Sequence, residues 1–490
     1  MSNPARALVS VPSVASHGPR LESEEALARI RRFLEDWRMR AGDNPGSFVD
    51  FEKELHAKIM EFEREMIAEQ MARADVDVGA IVVDGTTYRR VVRCQETYFT
   101  AAGPVQVLRT LYKNRSEEGE RAISPMELRL GVVEGRWTPL AAQQAVWVVA
   151  QLTPLRAEEL FARIGNMTPS KSSLDRLPKA MSARWETERA QFEKALRDGD
   201  VIPQHAVTVA VSLDGVLAPM RDGDAQKKRE KTAEEGRLTR GPAGYREVGC
   251  GTLSFCDTEG DMISAVRIAR MPETKKATLK RTLLSDVTAA LAERPDLRLV
   301  KIADGALDNW TFLANEVPGG VEILDFYHAV EHLDGALGSV YGEGTVEARK
   351  RFAALRFVLQ EEADGAEKII RALDYLHKRH AKNARVTKEL AYFRNNRHRM
   401  RYHEFAAEGL PIGSGVVEAA CKTLVTQRMK QSGMRWDEAG GQAILTVRGW
   451  TQSGDRFDRA WALLAATYQA EVVLLHNVVP FPPGGRQKGR

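Results

Sequence analysis

Residues 299–305 read LVKIADG, a short apolar run that breaks on an aspartate and a glycine. It has the length of a strand, ends on a turn signal and follows a helix-periodic segment, which predicts a strand buried on both faces of an α/β sheet. Two other stretches share the ending, VAVSLDG at 209–215 and VEILDFYH at 321–328. Working outward, the patterning predicts strands at 206–213, 248–256, 262–269, 297–303 and 321–325, with helices at 276–293, 308–316 and 327–337. Three consecutive strands followed by alternating helices and strands predict a mixed sheet covered by helices.

Beyond that segment, residues 344–405 read as wholly helical, an insertion before LPIGSGVVEAACKTLVTQRMK (410–430), where Ser414 is placed to cap a helix carrying Glu418. On the N-terminal side, 22–75 has the three-to-four periodicity of amphipathic helices. From 79 to 112 the pattern turns to strands, with Asp84-Gly85 and Gly103-Pro104 as turns. Three short helices follow, TPLAAQQAVWVVAQL, PLRAEELFARIG and TPSKSSLDRL, a pattern shared by a helix-turn-helix and by any small helical bundle. A long charged helix is expected at 180–198, a mobile polar loop at 221–244 and a disordered basic tail at 481–490. The expected organisation is an N-terminal helical and small β region (1–130), a helix-turn-helix-like region (131–200), a catalytic core (201–343), a helical insertion (344–405), the rest of the core with the Glu helix (406–450), and a C-terminal helix and tail (451–490).

The 490 residues suffice for two or three domains, and 71 basic against 67 acidic residues leave a net +4, so local runs of charge say more than the total. Cys94, Cys250, Cys256 and Cys421 are scattered, without the CxxC spacing of a zinc ribbon or the density of a secreted scaffold. No apolar run approaches the roughly twenty residues of a membrane helix, and the opening MSNPARALVSVPSVASHGPR lacks a signal-peptide core. The expectation is a cytoplasmic protein with no membrane partner.

Groups that do chemistry in α/β sheets gather beyond strand ends, where the sheet holds the starts of loops rigid. Asp214 and Asp304 occupy such positions. If their strands are neighbours, the two anions repel unless a proton or cation intervenes. Sparse aspartates without a Cys/His cluster favour Mg²⁺ over Zn²⁺, and two such ions roughly 4 Å apart serve phosphoryl transfer. A single Asp before Gly is more often a turn residue, and Glu418 alone is a surface glutamate favoured by the helix dipole, with Glu404 and Glu408 competing on spacing. Two such endings in one sheet-like segment, with a glutamate on a capped helix, outweigh the single-residue readings.

The order strand-Asp214, strand-Asp304, helical insertion, helix-Glu418 resembles the DDE transposases with an RNase H-like fold, particularly the ISKra-type insertion-sequence transposases. The resembling segments are VSLDGVLAPM, IADGALDNW, DFYHAVEHL, IGSGVVEAACKTLVTQRMKQSGMRW and DRFDRAWALL, spread over about 205–465. The resemblance implies an RNase H-like catalytic core in which Asp214, Asp304 and Glu418 hold two Mg²⁺ ions, with Mn²⁺ as a substitute, and catalyse DNA strand cleavage and transfer. It further implies transposon ends with terminal inverted repeats, target DNA and a homo-oligomer as partners, in a bacterial cytoplasm. Asp325-Phe-Tyr-His328 resembles the C/D-x-x-H signature of the related Mutator-like group and implies a supporting role for Asp325 and His328. Cysteine pairs that some relatives carry ahead of the helix-turn-helix are absent from this sequence.

Basic residues mark candidate DNA contacts. In 378–401, KRHAKNARVTKELAYFRNNRHRMR, Lys378, Arg379, Lys382, Arg394, Arg397, Arg399 and Arg401 surround Tyr392 and Phe393, with Glu389 the lone acid. Lys422, Arg428, Lys430, Arg435 and Trp436 follow Glu418. Trp310 has a packing or a base-stacking reading. His398-x-x-Arg401 invites comparison with tyrosine recombinases, but no tyrosine lies between Tyr402 and Tyr468, and no GxxxxGK[ST] loop supports an ATPase core. A structure-selective nuclease and an idle transposase-derived regulator share the remaining features.

Overall fold

The structure is a computed structural model describing residues 20–40, 47–114, 121–165, 167–221, 231–232, 234–236 and 244–476. The opening segment, most of the 221–244 loop and the basic tail fall outside the described residues. Strands among them are β1 (Ala80–Val83), β2 (Thr86–Thr100), β3 (Gly103–Lys113), β4 (Thr208–Pro219), β5 (Tyr245–Cys256), β6 (Met262–Arg270), β7 (Arg298–Ala303), β8 (Val321–Leu324) and β9 (Val472–Leu475). Packing divides the chain into one unit of residues 1–144, 158–170 and 465–490 and another of residues 145–157 and 171–464.

The first unit holds a four-stranded antiparallel sheet in the order β3-β2-β1-β9, together with the helices Arg20–Arg40 and Phe48–Ala74. Asp84 and Gly85 both adopt positive φ, 47° and 77°, which is what a two-residue hairpin turn needs to match strand twist. The sequence reading places 472–475 within a C-terminal helix and tail; instead Val83 pairs with Val472 and Ala80 with Leu475. Four apolar residues have no period that separates helix from strand, so the open edge of β1 decides.

The second unit holds the mixed sheet β6-β5-β4-β7-β8, in which β6, β5 and β4 run antiparallel and β4, β7 and β8 run parallel. This is the RNase H-like arrangement the sequence reading expected. β5 is buried along most of its length, and its glycines admit the helix Ala277–Glu293: a Cβ on Gly251 would stand 2.7 Å from Leu283 Cδ1. The insertion consists of the helices Val346–Glu361, Gly365–Arg379, Ala384–Asn396 and Tyr402–Ala407. Leu359, Ile369, Leu373, Leu390 and Phe393 from these helices join one apolar core with Val211, Val300 and Ile323 of the sheet. The insertion therefore draws its stability from the sheet's own core. The charged helix expected at 180–198 is two helices, Lys171–Thr187 and Arg189–Asp198, broken at Glu188.

β4 is longer than expected and does not end at Asp214. It pairs with β5 as far as Pro219 against Tyr245, whereas β7 stops at Ala303. Asp214 thus sits inside a strand, at the point where one of its two neighbours leaves.

Candidate active site

The parallel register brings three aspartates to one level. Ser212 pairs with Ile302, so Asp214 and Asp304, each two residues further on, stand level; Ala303 pairs with Leu324, so Asp304 and Asp325, each one residue further on, stand level as well. The Asp325 N–H still donates to the Ala303 carbonyl at 2.9 Å. All three therefore stand where β7 and β8 end, the side of a parallel sheet where sites form.

Each aspartate is held differently. Asp214 Oδ1 accepts from the Gly215 N–H at 2.6 Å, and the Cys421 Sγ lies 3.6 Å from Oδ2. Asp304 Oδ1 accepts from the Ala306 N–H at 3.2 Å and from Asn309 Nδ2 at 3.0 Å, and Asn309 also donates to the Leu213 carbonyl at 3.3 Å. Asn309 is buried and bridges β4 to Asp304. Asp325, 0 % exposed, caps the helix Phe326–Tyr341 by accepting the His328 N–H at 2.8 Å and also accepts the Ser414 N–H. That pair of bonds fastens β8, the His328 helix and the segment leading to Glu418 to one carboxylate.

Glu418 lies in the short helix Gly415–Ala420, which continues as a π-helical turn over Cys421–Thr426. Ser414 occupies the N-cap position, but its side chain makes no capping bond to the helix backbone; its hydroxyl donates to Glu418 Oε1 at 3.2 Å. Burial pushes the Asp214 carboxyl up, and the charge of Asp304 pushes the same way against the Gly215 bond. Burial also raises Glu418, reinforced by Asp325 and Asp214, while Ser414 and His328 oppose it. Asp214, Asp304, Asp325, Glu418 and His328 thus form one electrostatic neighbourhood. Glu408 stands apart, paired with Arg298 at the opposite end of β7 from Asp304.

The oxygen donors of Asp214 and Asp304 match the preference of Mg²⁺, which binds through one or two carboxylates and keeps several waters. Among the described residues, no group of three or more His, Cys, Asp or Glu side chains is arranged to hold a metal ion. The fit rests on the paired aspartates and the repulsion between them, with Glu418 engaged by Ser414.

The basic candidates separate into two kinds. Lys378, Arg379, Lys382, Arg394, Arg397, Arg401, Lys422, Lys430 and Arg435 are exposed. Arg394 and Lys378 share Asp374 at 2.8 and 2.7 Å. Arg399 departs from the surface reading: its Nε donates to Glu322 at 2.8 Å and its guanidinium lies 3.8 Å over the Trp310 ring. Trp310 is itself buried and donates to the Asp304 carbonyl at 2.5 Å, which settles it as packing. Arg428 is 1 % exposed and bonds the Val149 carbonyl, so it turns inward instead of standing with the surface cations. Phe393 is core, and Glu389 is buried beside His332 and Arg385.

Sequence reasoning gave Asn309, Cys421 and Tyr392 no place beside the carboxylates. Among the described residues the buried Tyr392 hydroxyl has no partner, its ring stacks on His332 at 3.7 Å, and a Cβ on Gly305 would stand 2.3 Å from it. Gly305 is glycine because that ring presses against it. Nothing in the local patterning marks these residues, since only the fold brings them beside Asp304 and Asp214.

Among the described residues no helix is long and apolar enough to cross a membrane. No protein-family model matches the chain, and no curated protein matches it. Among solved structures, it is similar to the Drosophila P element transposase strand transfer complex at 10% identity, over 67% of this chain and 80% of that chain, with a TM-score of 0.25.

Proposed function

We propose that this protein is a DNA transposase of the DDE type, cleaving and joining DNA strands at transposon ends with Asp214, Asp304 and Glu418 as its catalytic carboxylates. The observation that carries the reading is the level register of Asp214 and Asp304 on adjacent parallel strands, with the Glu418 segment fastened to the same level through Asp325. Asp214 and Asp304 would hold Mg²⁺, with Glu418 completing the set. When bound, the ion supplies Lewis acidity at a phosphoryl oxygen and a more acidic attacking water or hydroxyl. Asn309 fixes the Asp304 carboxylate, and the Gly215 N–H orients Asp214. The positive charge of His328, when protonated, offsets the crowding of anions around Asp214 and Glu418. The exposed cations of 378–401, with Lys422, Lys430 and Arg435, would bind the DNA backbone of terminal inverted repeats and target.

The test is a cleavage and strand-joining assay with DNA carrying the ends of the element, in Mg²⁺ or Mn²⁺. Asp214→Asn, Asp304→Asn and Glu418→Gln should each abolish both products while folding and DNA binding persist. Cleavage without joining would make the protein a nuclease. Undiminished activity in Asp304→Asn would remove the site assignment.

A further inference from the structure

A cleft of about 350 Å³ opens beside the loop Gly433–Asp437 in the second unit, away from the aspartates, and lies within the range of about 300–1,000 Å³ usual for ligand sites. Its walls carry five basic side chains, Lys171, Lys179, Arg221, Arg428 and Arg435, against two carboxylates. Both carboxylates are occupied: Asp175 pairs with Lys179 at 2.8 Å, and Asp437 caps the helix Glu438–Thr451 through the Gly440 N–H at 2.6 Å. Trp436 forms part of the wall, and its backbone is stitched to the end of β4, its N–H donating to the Pro219 carbonyl at 3.0 Å and its carbonyl accepting the Arg221 N–H at 2.8 Å. The indole N–H donates to the Met429 carbonyl at 3.0 Å, so the ring is fixed in place before any ligand arrives.

Arg428 makes this cleft more than a basic surface. It is almost wholly buried, lies 5.3 Å over the Trp436 ring and bonds the Val149 carbonyl at 3.3 and 3.4 Å, yet among the described residues it has no ion pair. Arg448, also buried, is served by the carbonyls of Leu424, Ala150 and Thr423 and has no carboxylate beside it among the described residues. A buried cation is normally retained with an anion beside it. Burial and the neighbouring charge of Arg448 pull Arg428 down to about 10, the direction that a bound anion would reverse.

We infer that this cleft binds one nucleotide unit outside a paired duplex, its base on the Trp436 platform and its phosphate among Lys171, Lys179 and Arg221. An aromatic wall beside cations is how unpaired bases are held without sequence readout. The inference rests on the DNA-processing reading for the source of the nucleotide, an extrahelical residue of a DNA strand.

Fluorescence anisotropy would compare a duplex carrying one extrahelical thymidine with the same duplex fully paired, using free thymidine monophosphate as competitor. Stacking on an aromatic platform predicts about five- to 150-fold tighter binding of the extrahelical duplex. Trp436→Leu should bring the two duplexes to the same affinity, and Lys179→Gln, at the exposed rim, should narrow the margin without the risk of misfolding. Displacement by the free nucleotide, lost in Trp436→Leu, would support the cleft's chemistry and assign it a free nucleotide as source. Equal affinity for both duplexes with no displacement overturns the inference. Asp304→Asn lies outside the cleft and should keep the preference, so a protein that never cleaves but retains it refutes only the catalytic reading.

Discussion

Asp325→Asn separates a carboxylate that ties elements together from one that does chemistry. In the native protein the two oxygens of Asp325 accept N–H groups from His328 and Ser414, and the side chain has no exposed surface. An asparagine keeps one carbonyl oxygen and turns an NH₂ toward the second N–H, so one bond is lost and two donors face each other. Hydrogen bonds to a carboxylate contribute about 1.5–3 kcal/mol, and a buried donor left unmet costs about 1–3 kcal/mol. With partial relaxation, the expected loss is roughly 2–4 kcal/mol, which in a unit of this size lowers Tm by roughly 3–6 °C. Calorimetry beside the strand-cleavage assay would show both effects: reduced stability, and a fall in activity because Glu418 is no longer held level with Asp214. Asp304→Asn should do the opposite, losing activity at nearly native Tm. An Asp325→Asn protein as stable as the native one but inactive would refute this reasoning and make Asp325 a participant in the chemistry.

Three further outcomes follow from the same geometry. Millimolar Mg²⁺ should raise the Tm of the native protein by relieving the repulsion between Asp214 and Asp304, and should leave Asp304→Asn unmoved; equal shifts in both would dismiss the paired aspartates as the binding site. Glu408→Gln removes a surface ion pair with Arg298 and should change stability by less than about 1 kcal/mol with activity intact, whereas Glu418→Gln should be inactive; an inactive Glu408→Gln would exchange the two roles. Burial raises Asp286 to about 6 against the attraction of Arg456 and Arg197, so the folded state binds a proton there more tightly than the unfolded one. Its contribution is largest below the unfolded pKa near 4 and is lost as pH rises towards 6. Relative to Asp286→Asn, native stability measured by urea denaturation should therefore decline between pH 4 and 6; a pH-independent difference would contradict the assignment.

Much of the core was legible because its signals are local. The run at 299–303, the helix-periodic segments of the insertion and the Asp84-Gly85 turn all depend on burial period or backbone freedom, which neighbouring residues carry. Asp214 and Asp304 could be singled out because each follows an apolar run. The extent of β4 beyond Asp214 was not legible, since it depends on how far β5 pairs while β7 departs, a property of three strands at once. The basic stretch misled in part for a related reason. Charge composition does not tell which arginine turns inward, and Arg399 and Arg428 do so because Glu322, Trp310 and the Val149 carbonyl are present in the folded chain to receive them.

By itself, then, the sequence determined most of the element types, the sheet-and-helix class and the two aspartates that follow apolar runs, because periodicity and turn chemistry act over a few residues. Tertiary structure alone decided that those aspartates stand level with Asp325, that Asn309 and Tyr392 crowd around Asp304, and that residues 472–475 close the edge of a sheet begun nearly four hundred positions earlier. Register, burial of a charge and closure of a strand edge are properties of contacts between distant segments, and no local pattern encodes them.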